Sequence, residues 1–225
     1  MAAAAVLAGG CSSGSPSTGG SRSGGIGTLP VSPPTAATVV SSVRLSQSGP
    51  TWQSSGVRFT LPAGWSIVTG ADVANDPAAL EGMRSMSEHL GLDPGALATS
   101  LSGYAQVGFG PDEGLLLVAQ VPQSDLDATT EASVRAYLRA VCARQPRLCE
   151  ELVGFATRHT GQGDAVVTVT RSVDGTVSGS IGLPYVARAG AGSSTRQGRR
   201  ISVVASDQGS VEAVVNVILA TIRQS

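Results

Sequence analysis

Past residue 50 the chain alternates between two hydrophobic rhythms. Val57-Arg58-Phe59-Thr60-Leu61 puts an apolar side chain at every second position, which predicts a half-buried strand. Pro62-Ala63-Gly64 signals a turn, and Trp65-Ser66-Ile67-Val68 resumes the alternation as a second strand. The period then lengthens. Asp76-Pro77 reads as an N-cap followed by proline in the first turn, and Ala79, Met83, Met86 and Leu90 follow at helical spacing. Asp93-Pro94 repeats that start signal for a short helix carrying Leu97 and Leu101.

Strands are predicted over residues 104–109 and 115–121, with Gly110-Pro111-Asp112-Glu113-Gly114 between them. The unbroken run Leu115-Leu116-Leu117-Val118 is what a strand buried on both faces requires. Thr130 can cap a helix whose apolar face is Val134, Leu138 and Val141. That helix is interrupted at Gln145-Pro146, because the residue before a proline disfavours helical geometry, and a short helix is expected to follow as far as Gly154. Residues 165–173 and 176–183 flank Asp174-Gly175, a two-residue hairpin signal. A last strand over residues 200–206 carries Ile201, Val203 and Ala205, and Ser210 is expected to cap a closing helix with Val214, Val215, Ile218, Leu219 and Ile222 on one face. Strands and hairpins with few parallel crossovers predict an α+β fold, an antiparallel sheet flanked by helices.

The first fifty residues carry no such rhythm. Gly, Ser, Pro and Thr dominate residues 12–50, and such a stretch cannot bury enough apolar surface to offset its ordering entropy. It reads as a flexible linker with an r.m.s. reach of about 35 Å. Residues 51–225 then form one globular domain. Ahead of the linker stands Leu7-Ala8-Gly9-Gly10-Cys11-Ser12, an apolar run closing in small residues and a cysteine. This resembles the lipobox of bacterial lipoproteins, which implies that Cys11 is lipidated and becomes the first residue of the mature chain. Ala8 stands where the family usually has leucine, and no Lys or Arg precedes the apolar run. A longer, positively charged beginning upstream of Met1 is therefore expected. Two or more acyl chains would make the anchor durable.

Charge narrows the function classes. Fifteen basic residues face sixteen acidic ones, and no basic patch suited to nucleic acid stands out. Every basic residue is arginine. Without lysine the chain cannot build a P-loop, a kinase strand lysine, a pyridoxal Schiff base or a Ser-x-x-Lys nucleophile. Two histidines, His89 and His159, are too few for a three-histidine zinc site, and no Gly-x-Ser-x-Gly elbow occurs. Gly108-Phe109-Gly110 lacks the third glycine of a dinucleotide fingerprint. No metal and no cofactor is expected.

What remains is sparse. Cys142 and Cys149 are seven apart, roughly 10.5 Å along a straight helix, which is beyond bridging distance. Pro146 between them allows the chain to fold back, and a disulfide is expected in an oxidising compartment; the spacing is not that of a Cys-x-x-Cys redox pair. Arg188, Arg196, Arg199 and Arg200 cluster around the loop Gly190-Ala191-Gly192 and can meet an anionic head group or polymer, or serve only as a solvated loop. The adjacent pairs Asp112-Glu113 and Glu150-Glu151 point to different faces, so neither is a natural acid/base couple and both are expected to be solvated.

Phe59-Thr60-Leu61-Pro62-Ala63-Gly64-Trp65 resembles the opening hairpin of the Mog1/PsbP-like fold, and the order of the later elements is similar to it. Actinobacterial lipoproteins of the LpqN type are similar in both anchor and domain. The resemblance implies an α/β/α sandwich, an envelope location and a binding or accessory role with no shared catalytic residues. Trp65 is expected to be a core tryptophan behind a tight turn rather than a ligand platform. The functional expectation is an extracytoplasmic module, tied to the cell membrane through lipid on Cys11, that binds an envelope protein, lipid or wall component. The alternative is an extracytoplasmic hydrolase whose site is not visible as a motif.

Overall fold

The computed structural model describes residues 48–90, 93–111, 113–184 and 197–224. The chain opens with β1 (Ser48–Ser54), whose first residues lie in the stretch read as linker. β2 (Val57–Pro62) pairs antiparallel with it across Ser55-Gly56, both at positive φ (55° and 73°), a tight two-residue turn. β10 (Arg223–Gln224) joins the other edge of β2, completing a three-stranded sheet in the order β1-β2-β10. Alternation in β2 is as expected: Val57, Phe59 and Leu61 are buried, Arg58 is exposed.

β3 (Ser66–Val68) does not fold back on β2. It pairs with β4 (Val107–Phe109) in a second, seven-stranded sheet. The Pro62-Ala63-Gly64 turn, expected to close a hairpin, instead carries the chain from one sheet to the other, with Gly64 at φ 86°. Trp65 at this crossing is buried in the main core. A Cβ on Gly110 would lie 2.3 Å from its ring, so this glycine has to lack a side chain for the indole to seat.

The large sheet is completed by β5 (Leu115–Pro122), β6 (Glu150–Thr160), β7 (Gly163–Ser172), β8 (Val177–Leu183) and β9 (Gln197–Ala205). Its order is β3-β4-β5-β9-β8-β7-β6, and every pairing is antiparallel. β5 is buried on both faces, as its apolar run requires. Leu116 and Val118 enter the main core, while Leu115 and Leu117 enter a second one.

Helices complete the layers. α1 (Pro77–Leu90) and α2 (Pro94–Leu101) cover the second core with Ala79, Met83, Leu97 and Leu101. Asp76 and Asp93 cap them, accepting from Ala79 N–H and Ala96 N–H at 2.9 Å each. α3 (Glu131–Arg144) starts with a reciprocal cap between Thr130 and Ser133 and packs against β6. α4 (Gln208–Thr221) closes the main core with Val211, Val214, Val215 and Ile218. Its end is tied to the small sheet by Thr60 N–H, which donates to Thr221 Oγ1 at 3.0 Å. The α+β class with antiparallel sheet and flanking helices is as expected.

Four local expectations are corrected. Residues 150–154 are strand, not helix: after the 3-10 turn Pro146–Leu148 the chain is extended and enters β6. Of residues 104–109 only Val107–Phe109 pair, with Tyr104 tucked beside the second core. The β7–β8 turn has only Gly175 at positive φ, and Ser172 pairs with Thr176, so three residues close it rather than two. The cap of α4 is Asp207, accepting from Ser210 N–H at 3.0 Å; Ser210 sits one turn inside and donates its hydroxyl to the same carboxylate.

Candidate functional site

The chemistry of the described residues concentrates where α3 gives way to β6. Gln145 leaves helical geometry at φ −137°, the turn Pro146–Leu148 reverses the chain, and Cys149 returns to Cys142. Their Cα atoms stand 4.4 Å apart and the sulfurs are bonded. The proline-broken helix expected from the sequence thus closes the bridge.

Glu150 follows the bridge directly and pairs with Ser172 across β6 and β7. It is half-buried, and burial raises its pKa against a lowering hydrogen bond from Thr170; Asp174 raises it further. Asp174 behaves oppositely. Its carboxylate accepts from the Ser172 hydroxyl and from Thr176 N–H (3.0 Å), and its pKa falls to about 2, chiefly through Ser172. Glu151 is exposed. The expectation of two solvated neighbours therefore holds for Glu151 and fails for Glu150, because the strand turns alternate residues to opposite faces.

A carboxyl group with a raised pKa near one with a lowered pKa is the arrangement that acid–base catalysis exploits. Here the split arises from a hairpin turn and a strand end, with Asp174 committed to its own loop. Among the described residues this pair is the one on which a hydrolase reading could be built, and no sequence motif marks it. The linkage is directly testable. Glu150 is held above its ordinary pKa, so its contribution to stability is full below about pH 4.5 and is lost as pH rises through the folded value. Glu150→Gln keeps a hydrogen-bonding partner for Thr170 without the buried charge. Urea unfolding should therefore show a stabler protein at pH 7 and no gain at pH 4. Equal effects at both pH values would contradict the assignment.

Of the four arginines expected to form one anionic contact, only Arg199 and Arg200 lie among the described residues. Arg199 and Arg200 are adjacent on β9 and alternate. Arg199 reaches the small sheet, donating from Nε to Ser55 O at the β1–β2 turn. Arg200 donates to Asp125 O at 2.7 Å on the 3-10 turn Gln123–Leu126. Arg188 and Arg196 lie outside the described residues, as do Cys11, Asp112 and the side chain of His89. His159 Nδ1 stands 2.9 Å from Asp164 Oδ1 across the β6–β7 pair, with both side chains largely in solvent. Among the described residues no group of three His, Cys, Asp or Glu is arranged to hold a metal ion. No helix among them is long and apolar enough to cross a membrane.

No family model and no curated protein matches the chain. Among solved structures it is similar to the cyanobacterial PsbP (CyanoP) of Synechocystis sp. PCC 6803, at 12% identity and a TM-score of 0.43. The likeness covers 78% of this chain and 92% of that one. At that distance it supplies no function, and the fold class rests on the strand order and helix placement described above.

Proposed function

We propose that the chain is a non-catalytic binding or accessory module of the cell envelope, held to the membrane by lipid on Cys11 and carried on a flexible linker. The observation that supports this most is the Cys142–Cys149 bridge, joined to the lipobox-like segment that ends in Cys11. Disulfides persist in oxidising compartments outside the cytoplasm. A chain that pairs two of its three cysteines and keeps the third beside small residues and a Gly/Ser/Pro stretch suits export followed by acylation.

The domain fits a binding role better than catalysis. Its two carboxyls with opposed pKa shifts, Glu150 and Asp174, lie at a strand end and on a turn, and Arg199 and Arg200 on β9 hold elements together. The partner expected is an envelope protein, lipid or wall component within the linker's reach. Fractionation of cells expressing the full-length gene tests the reading. The wild-type protein should sediment with membranes, and Cys11→Ala should move it to the soluble extracytoplasmic fraction with its disulfide intact. Membrane association unchanged by Cys11→Ala would reject the anchor.

A further inference from the structure

Among the described residues the large sheet ends on a long edge strand, β6. β6 runs from Glu150 to Thr160, and among the described residues only its β7 side is paired. Alternate N–H and C=O groups along the other side are left without a strand partner, the situation that invites pairing with another chain. Native edges are usually blunted by charge, and β6 carries Glu151, Arg158 and His159, all exposed. The placement of the first two is informative.

Glu151 and Arg158 are seven residues apart, so a regular strand would turn them to opposite faces. The irregularity between Leu152 and Gly154 cancels one residue. Glu151 stands opposite Arg171, and Arg158 stands opposite Ala165; those partners are six apart on β7 and share a face. Thr168 is midway between them, and its partner is Phe155. An antiparallel pairing of two β6 edges about a two-fold axis at Phe155 would set Arg158 of each copy opposite Glu151 of the other. Two ion pairs would form on one face, and the half-buried Phe155 rings would meet on the other. A parallel pairing in register would set Arg158 against Arg158. The charges that repel other strands therefore match one partner.

Two exposed apolar side chains lie on segments next to β6 in the fold. Tyr137, 61% exposed, lies on α3, which packs against β6. Val173, 77% exposed, follows Ser172, the partner of Glu150.

We infer that β6 is a homodimerisation edge, joining two copies of this chain antiparallel into one continuous sheet. A single strand edge buries less than roughly 1,000 Å² in total, the range of weak and transient contacts, so a micromolar equilibrium is expected.

Sedimentation velocity on the full chain carrying Cys11→Ser, which removes the lipid site, measures it. A concentration-dependent monomer–dimer equilibrium is expected. Arg158→Glu and Glu151→Arg, each placing like charges opposite one another, should weaken it at least ~tenfold. The double exchange should restore it to within about threefold of the starting chain. Arg158→Ala provides a milder loss should either reversal disturb folding, and thermal melts check that the monomers are intact. A monomer at several hundred micromolar would overturn the inference. So would a dimer indifferent to Arg158→Glu, or reversals that the double exchange does not rescue.

Discussion

Replacing Trp52 with alanine should lower the unfolding free energy by about 3–5 kcal/mol, whereas Trp52→Phe should cost about 1 kcal/mol or less. Trp52 is fully inaccessible and stacks on Phe59, with ring centroids 5.7 Å apart and planes inclined by 6°. Alanine removes the stack and leaves a cavity between the small sheet and the large one. Phenylalanine keeps an aromatic face against Phe59. It also removes the Trp52 Nε1–H, a buried donor with no hydrogen-bond partner among the described residues. Losing an unpaired donor offsets part of the area lost. Urea titrations of the three proteins separate the two contributions. A Phe variant as unstable as the Ala variant would show that this N–H is not a liability.

Removing the disulfide is the second large effect. Cys142→Ser with Cys149→Ser should cost about 2–3 kcal/mol, the closure entropy of so short a loop. The loss should be felt first in α3. Among its described side chains only Val134 is buried, so the helix owes little of its attachment to apolar packing. Amide exchange should accelerate along Glu131–Arg144 while β8 and β9, buried at the sheet centre, keep their protection. A uniform loss of protection across the sheet would show that α3 is part of the cooperative core.

How much of this was legible in the sequence depends on burial. β2, β5, β8 and β9 show in the residue pattern because one or both faces are sealed, and sealing enforces a period. β6 does not, because it is a half-covered edge with an irregular register, and its opening Glu150-Glu151 after Pro146 reads as a helix turn. β1 hides because Trp52 is its one large apolar residue and pairing to β2 does the rest.

The candidate site divides the same way. The cysteine bridge could be read from a proline placed between two thiols. The Glu150–Asp174 relation could not, since strand register and a hairpin turn bring them together. The arginines show the reverse case. Arg199 and Arg200 are neighbours in sequence, but a strand sends neighbours to opposite faces, so proximity along the chain did not become proximity in space.

The measurement that bears most directly on the proposed role is the mass of the mature N-terminal peptide from membranes of cells expressing the full-length gene. The mature chain is expected to start at Cys11, with this residue carrying a thioether-linked diacylglycerol. A peptide that runs unmodified through Cys11, with the residues before it still attached, would contradict it.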